Sequence, residues 1–521
     1  MRYFNTAGVC LPEKHYMLPP EARLPEARGL IDQWQYFIVH APRQTGKTTT
    51  LLTLARRLTA EGRHAAVAIS CERAAEVGDD LVRAEANLLI ALRGATRQQL
   101  PERLKPPASW PAAPAGSQVF EALQQWAVAC PLPLVLFFDE IDSLSGHVLR
   151  STLHQIRDGH QYRAHAFPAS VVLCGMRDIR DYKAAAGGDP VRLGGPSPFN
   201  VAVKSIRIGD FTMEEVASLY QQHTDDTGQE FTPGAVERAF AYSQGQPWLV
   251  NALAREIVTE MGIPSPVTIT ADHVDTAKER LILARVTHLG SLADKLRQPR
   301  VRRVIEPLVA GTFPDLDPDF DDDVAYVRDL GLVAQSKPVK VANPIYREVI
   351  VRTLGASLEE LFTVESRRFV LPDGRLDFAK VLKAFAEIWP EHEEFLGGID
   401  YPEVAMQVMF MMYLQRIVNG GGFVDREYGV GRGRIDLLVR KPYGDHELQR
   451  EAIELKVWHP GRPDPLPEGL RQLDRYLDRL GLDTGTLIIF DRRPDATSVA
   501  DRTRFTEEET PSGRVVTLLR A

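Results

Sequence analysis

The stretch "AIELKVW", residues 452–458, is an apolar run interrupted by Glu454 and Lys456. Two residues apart in a strand, they point to the same face. A second strand signal precedes it, "GVGRGRIDLLVRKP" (429–442), with Asp436 inside and "YGDHE" between the two runs. If the runs form an antiparallel hairpin centred near Asp445, residues equidistant from the centre face each other. Asp436 and Glu454 are each nine residues from it. The hairpin therefore predicts Asp436 directly across from Glu454, on the same face as Lys456. Two facing carboxylates repel unless a cation lies between them. A divalent metal on Asp436 and Glu454 resolves the repulsion, with Lys456 placed to orient water or stabilise developing charge. The bland alternative is a surface hairpin with an ordinary Glu454–Lys456 pair.

A second set of residues sits near the N-terminus. "YFIVHAPRQTGKTTT" (36–50) runs from a short apolar strand through a turn into the periodic helix "TTTLLTLARRLTAEG", which Gly62 is placed to cap. Strand, loop ending in Gly-Lys-Thr, and helix is the context of a phosphate-binding loop, here Ala41, Pro42, Arg43, Gln44, Thr45, Gly46, Lys47, Thr48 and Thr49. Gly46 lets the backbone approach phosphate. The helix N-terminus offers free N–H groups and partial positive charge. Lys47 reaches the β/γ-phosphates and Thr48 ligates Mg2+. Ala41 stands where the first glycine of the motif usually is, which is tolerable if its φ is negative. Further on, "PLVLFFDEID" (133–142) ends an apolar strand in Asp139 and Glu140.

Together these motifs resemble the AAA+/STAND class of P-loop ATPases, in particular bacterial AAA-like ATPase proteins. The resemblance implies an ASCE-type α/β fold with a parallel sheet, ATP and Mg2+ as cofactors, slow hydrolysis, a conformational switch and a homo-oligomer. It assigns Asp139 to the metal and Glu140 to the attacking water. It places a γ-phosphate sensor at Arg177, at the end of "SVVLCGMR". Arg150 and Arg157 are either arginine fingers or surface residues. "DFTMEEVASLY" (210–220) and "SQGQPWLVNALAREI" (243–257) are similar to the helical lid of that class, with Gly245-Gln246-Pro247 as its GxP element and Arg255 as a sensor candidate; Trp248, Leu249 and Leu253 read as packing residues.

The C-terminal third resembles the PD-(D/E)XK nuclease superfamily, whose core is D…ExK. Glu403 lies near the start of "DYPEVAMQVMFMMYLQRIV" (400–418), where many members carry a further acid. Gln472 and Tyr476 on "EGLRQLDRYLDRLG" (468–481) match the QxxxY of the RecB-like branch, and "TLIIF" (486–490) reads as the next core strand. The resemblance implies Mg2+- or Mn2+-assisted phosphodiester hydrolysis, with Asp436 and Glu454 holding metal, Lys456 orienting the nucleophile, Glu403 and Gln472 in support, and DNA as partner. Arg426, Arg432 and Arg434 either form a local basic surface beside Gly431 and Gly433 or are solvated.

These sites need several folded units, which 521 residues allow. The expected division is a P-loop core (1–209), a helical lid (210–285), a winged-helix-like segment (286–358) and the nuclease-like domain (359–521). In the third segment "KLRQPRVRRVIEPLVAG" carries Arg297, Arg300, Arg302 and Arg303, "DLDPDFDDD" follows, and then "VAYVRDLGLVAQSKPVKVANPIYREVIV". Helix, helix, short strand, turn and strand is the order of a winged helix, and the arginines read as a solvated helix face or an interdomain contact before a phosphate-backbone contact. The acidic run is no calcium loop, because Phe320 occupies the position where an EF-hand needs glycine; it reads as a solvated cap for the next helix. "PPASWPAAPAG" (106–116) is a Pro/Ala-rich loop. Apolar content of 44% and charged content of 25% are those of a globular protein. A net charge of −8 confines any nucleic-acid surface to a local patch. Cys10, Cys71, Cys130 and Cys174 have no CxxC spacing, which argues against a zinc ribbon and a disulfide framework. No apolar run has signal-peptide or membrane-span length, so a cytoplasmic protein without a membrane is expected. Two rivals remain open: an ATP-regulated DNA-binding protein whose nuclease fold does not cleave, and a regulator that answers a protein or small-molecule signal.

Overall fold

The computed structural model describes residues 2–144, 146–163, 165–177, 199–284, 287–310, 321–359, 366–396, 402–418, 422–430, 433–444, 447–458, 461–493, 496 and 498–521. The chain forms two units. One is Met1–Gly290 with Leu316–Tyr346; the other is Ser291–Asp315 with Arg347–Ala521.

The first unit is built on five parallel strands, β1 (Tyr36–His40), β2 (Ala65–Ser70), β3 (Leu134–Asp139), β4 (Ser170–Gly175) and β5 (Ala202–Arg207), in the order β2-β3-β4-β1-β5. Strands β1 to β4 read YFIVH, AAVAIS, LVLFFD and SVVLCG and are buried along nearly their whole length. Such unbroken apolar runs belong to a parallel sheet covered on both faces. Alternate residues feed two cores: Tyr36, Ile38, Val67, Leu136 and Phe138 on one side, Phe37, Val39, Val135, Phe137 and Val172 on the other. The order sets β4 between the strand that feeds the phosphate loop and the strand that ends in Asp139, the arrangement of an ASCE-type P-loop NTPase. All strands run the same way, so the loop after β1, Ser70, Asp139 and the residues after Gly175 share one edge, where α/β sheets bind ligands.

The helices Met213–Thr227, Pro233–Ser243, Pro247–Arg255 and Ala271–Leu283 follow. The first starts at a capping box between Thr212 and Glu215. The third starts on Gln246, whose side chain accepts from the Leu249 N–H at 2.6 Å.

The segment expected as one winged-helix domain is divided between the two units. Helices Thr287–Leu296 and Pro299–Ala310 are followed by Asp322–Asp329, where Asp321 accepts from the N–H groups of Asp323 and Val324, as a cap should. The expected strand–turn–strand reduces to a single antiparallel bridge, Val333↔Val341. "NPIYREVIV" enters the helix Pro344–Glu359 instead, started by the Asn343 side chain accepting from the Tyr346 N–H. Pro344 in the first turn and a capping Asn start this helix despite its β-branched run.

The second unit carries a six-stranded mixed sheet, in the order β10-β11-β9-β8-β7-β6, of β6 (Phe423–Val430), β7 (Gly433–Tyr443), β8 (Glu447–Trp458), β9 (Thr486–Asp491), β10 (Arg504–Glu509) and β11 (Val515–Arg520). Strands β6, β7 and β8 are antiparallel neighbours, while β9 runs parallel to β8 through the crossover helix Leu466–Leu480. That helix packs Leu473 and Leu477 onto Leu438, Ala452, Leu487 and Ile489.

Candidate active sites

In the first unit the phosphate loop folds as its composition demands. Gln44 (φ 59°) and Gly46 (φ 86°) take left-handed backbone, while Ala41 is not among the residues of positive φ, so its methyl is accommodated. The helix Lys47–Ala60 begins directly after Gly46. The Lys47 ammonium donates to the carbonyls of Ala41 and Pro42, at 2.8 Å each, folded over the loop it would leave to meet phosphate. Burial lowers its pKa, against the pull of nearby acids that include Asp139, Asp142 and Glu140. Thr48 Oγ1 donates to Asp139 Oδ2 at 2.6 Å, so the hydroxyl and carboxylate assigned to Mg2+ already touch. Asp139 is buried at the end of β3. Thr45 closes the loop on Pro42 O, and Arg43 and Gln44 are exposed. Thr49 Oγ1 accepts from the Cys10 N–H.

Glu140 sits in left-handed backbone (φ 57°), which turns its side chain out of the β3 line. Its carboxylate accepts from Ser70 Oγ at 2.9 Å, at the end of β2. Burial raises the Glu140 pKa, the Ser70 bond opposes that, and Asp139 adds to it. Ser70 escaped sequence reasoning; its only signal was a polar residue closing an apolar strand at the ligand edge. Arg177 lies two residues past β4, its guanidinium 5.2 Å from the centre of the Tyr326 ring and its Nε buried without a hydrogen-bond partner. His40 Nδ1 at the end of β1 stands 3.8 Å from Asp329 Oδ1. Gly331 lies so near the loop that a Cβ on it would come within 2.7 Å of Pro42. The segment 321–346 thus rests on the phosphate loop and on Arg177, which no local pattern announced.

Beside the loop opens a cavity of about 150 Å3, lined by Thr6, Ala7, Tyr16, Gly46, Thr49 and Trp248 among others. Trp248 is buried, as a packing residue should be; its ring also lines this cavity, and its Nε1 donates to Thr6 O at 2.9 Å. Leu249 and Leu253 are buried as expected. Arg255 donates to Thr6 Oγ1 and pairs with Glu260. Arg150 is exposed and Arg157 half-buried on the helix Gly146–Gly159, neither with an ion pair among the described residues.

In the second unit, the β7–β8 ladder runs from Leu437↔Ile453 to Tyr443↔Glu447, every pair symmetric about residue 445. The same register places Asp436 opposite Glu454. The Leu455 N–H donates to Asp436 Oδ2 at 2.8 Å, and the Lys456 ammonium donates to Glu454 Oε1 at 2.8 Å. Glu454 is 3% exposed, and its Oε2 is buried with no hydrogen-bond partner. Burial, then the charge of Asp436, pushes its carboxyl up to about 7, against the attraction of Lys456. Burial would lower the Lys456 ammonium, but Glu454, Asp436 and Glu468 hold it above its ordinary value. A buried carboxylate with an orphaned oxygen facing a second carboxylate is the donor set a hard divalent cation fits. Among the described residues no group of three or more His, Cys, Asp or Glu stands together as metal ligands; Glu403 lies on the helix Pro402–Val418, its side chain outside the described residues. Gln472 donates to Glu468 at 3.1 Å along its own helix, and Tyr476 packs against the core. Sequence reasoning passed over Glu468. Its signal was an i, i+4 spacing to Gln472 on the helix that covers Lys456's face.

Arg432 and Gly431 lie outside the described residues, as do the side chains of Arg426 and Arg434. In the basic run before the acidic loop, Arg302 pairs with Glu306 at 2.7 Å and Arg297 with Asp294 at 3.8 Å. No helix among the described residues is long and apolar enough to cross a membrane.

Residues 32–182 match the family model described as an AAA domain. With the parallel sheet and phosphate loop, this makes the first unit the seat of an AAA-like P-loop ATPase domain. Comparison with curated proteins gives no match. Similar solved structures include a Walker-type ATPase of Pyrococcus abyssi, 13% identical over 67% of this chain and 99% of that one, TM-score 0.46. The ORC1 protein of Aeropyrum pernix in complex with DNA is 13% identical over 66% of this chain and 95% of that one, TM-score 0.35. The Thermotoga maritima RuvB Holliday junction branch migration motor is 14% identical over 63% and 93%, TM-score 0.33. At these identities and TM-scores the likenesses fix neither activity nor partner.

Proposed function

We propose that the chain is an ATP-binding and ATP-hydrolysing switch coupled to a metal-dependent nuclease that acts on DNA. The observation that carries the nuclease half is Glu454, a buried carboxylate with an unpartnered oxygen, set across from Asp436 and held by Lys456. Burying a carboxylate is costly even with Lys456 on one oxygen, and its other oxygen is left without a hydrogen-bond partner. A divalent ion, Mg2+ or Mn2+, on Asp436 and Glu454 would supply charge neutralisation and Lewis acidity to a scissile phosphate. Lys456 keeps its proton and presents it beside both acids, where it orients a water and offsets negative charge growing on phosphate oxygens. Glu454 first, then Asp436 and, least, Glu468 keep that ammonium charged, and Gln472 donates to Glu468. Glu403 supports the site from the helix Pro402–Val418 in this reading.

In the first unit Thr48 and Asp139 would hold Mg2+ with ATP. Lys47 leaves the Ala41 and Pro42 carbonyls for the β/γ-phosphates, and Glu140 takes the proton of the attacking water. Arg177, stacked on Tyr326, is the group placed to register the γ-phosphate, and the base enters the cavity beside Trp248. In this reading the first unit, Met1–Gly290 with Leu316–Tyr346, carries the ATPase core and lid, and the second, Ser291–Asp315 with Arg347–Ala521, carries the nuclease-like domain. A DNA substrate, homo-oligomeric assembly and a cytoplasmic site of action belong to this reading.

Coupling is tested by following DNA cleavage with Mg2+ or Mn2+, with and without ATP, in wild type and Lys47→Ala. ATP should change the wild-type rate and leave the variant's unchanged. Equal responses to ATP in both proteins would show that the two units act independently.

A further inference from the structure

The Pro/Ala-rich loop 106–116 and the helix Leu81–Gln99 enclose an open depression of about 1120 Å3 on the first unit, outside the nucleotide site. Its wall carries Arg73, Arg93, Arg97 and Trp110, and no Asp or Glu lines it. In a chain of net charge −8 this is a local concentration of positive charge. None of the three arginines makes an ion pair among the described residues. Surface arginines elsewhere in the chain commonly do, as Arg28 does with Glu61 and Arg57 with Glu21.

The depression is also pre-shaped. Arg93 donates to Pro107 O at 2.9 Å, and its guanidinium lies 4.6 Å from the centre of the Trp110 ring. Prolines at 106, 107, 111 and 114 stiffen the loop that presents the indole. Arg93 and Arg97, four apart, stand on one helix face about 6 Å apart along the axis. Between them Gly94 interrupts a 19-residue helix at an exposed position, and a Cβ there would meet nothing within 4 Å. Packing therefore does not require this glycine, and it costs the helix stability. Its effect is to leave the floor open, so that a ligand can reach the helix backbone between two guanidinium groups. Ile90, 58% exposed, extends the wall with apolar surface.

Guanidinium groups without carboxylate partners, beside a half-buried indole and an apolar wall, match a chain that alternates phosphates with planar bases. We infer that this depression binds single-stranded nucleic acid, with phosphates on Arg73 and Arg97 and a base against the Trp110 wall. The site is distinct from the candidate nuclease centre. It deepens the reading of a chain that acts on nucleic acid, and it rests on that reading only for the choice of polymer.

The test is fluorescence anisotropy of a labelled oligothymidylate with the full chain, in EDTA so that nothing is cut, over a salt series. Arg73→Ala/Arg97→Ala should weaken binding on the order of tenfold and flatten the slope of log affinity against log salt by ~1.4, at ~0.7 for each phosphate left without its arginine. Gly94→Leu fills the floor without changing charge and is a better helix former. It should fold at least as well as wild type and still bind roughly tenfold more weakly. Arg57→Ala/Arg63→Ala, the same charge loss elsewhere, should leave affinity within about twofold, apart from long-range screening. Unchanged oligonucleotide binding in both depression variants overturns the inference. So does a polyglutamate peptide that binds wild type and is released by the same substitutions while the oligonucleotide is not, since the site would then serve an acidic protein. Because cleavage is absent from the assay, a dead nuclease centre leaves this result unaffected.

Discussion

Replacing Glu454 by Gln keeps the shape of the side chain and removes a charge that burial and Asp436 oppose. The Glu454 carboxyl is pushed from 4.5 to about 7 in the folded protein. At ~1.4 kcal/mol per pH unit, that shift corresponds to roughly 3 kcal/mol. The pKa is raised, so the folded state holds the proton more tightly than the unfolded chain. The penalty is absent below about pH 4.5, grows through the interval and is complete above about pH 7. The attraction of Lys456 is already contained in that value, so the difference is net of the lost ion pair. In EDTA, Glu454→Gln should match wild type near pH 4.5 and exceed it by up to ~3 kcal/mol at pH 8. Two units make whole-chain melting an unsafe guide, so the readout is native-state hydrogen exchange of the β8 amides. These should be protected up to ~100-fold more in the variant at pH 8, the ratio that ~3 kcal/mol implies. Adding Mn2+ should stabilise wild type only and shrink or reverse the gap. A surface ion pair gives the opposite pattern: the variant weaker by at most ~1 kcal/mol, no change with pH between 4.5 and 8, and no metal response. That result would refute the buried, metal-ready carboxylate.

Three further outcomes concern the first unit. Lys47→Ala removes the cation that would meet the β/γ-phosphates, so calorimetry should show ATP affinity sharply reduced with circular dichroism unchanged. Glu140→Gln should bind ATP as wild type does but turn over ~10²–10⁴-fold more slowly, as loss of a general base predicts; an undiminished rate would leave Glu140 a structural acid. Ser70→Ala deletes the bond that holds the Glu140 pKa down, so the acid limb of kcat against pH should move to higher pH. An unmoved limb means that Ser70 does not tune the base.

What could be read from the chain was what local spacing encodes. The Gly-Lys-Thr loop between an apolar strand and a periodic helix, and the Asp-Glu ending of β3, needed no tertiary information. The register that sets Asp436 across from Glu454 followed from the symmetry of two apolar runs about one turn. Ser70 on Glu140, Tyr326 under Arg177 and Asp329 near His40 join positions 70 or more residues apart, and neither partner carries a signature of the other. Past Val341 the β-branched residues of "REVIV" lie in a Pro-started, Asn-capped helix, where local capping outweighs strand propensity. Trp248 is buried as its apolar periodic face announces, but that pattern does not reveal that the ring also walls a cavity.

The measurement that bears most directly on the account is cleavage of a DNA panel, single- and double-stranded, by wild type, Glu454→Gln and Lys456→Ala, with Mg2+, with Mn2+ and with EDTA. The account predicts cleavage by wild type only when divalent metal is present, its abolition in Glu454→Gln, and a severe loss in Lys456→Ala with metal-dependent stabilisation retained. No cleavage of any substrate by wild type under either metal, or a rate untouched by Glu454→Gln, would contradict it.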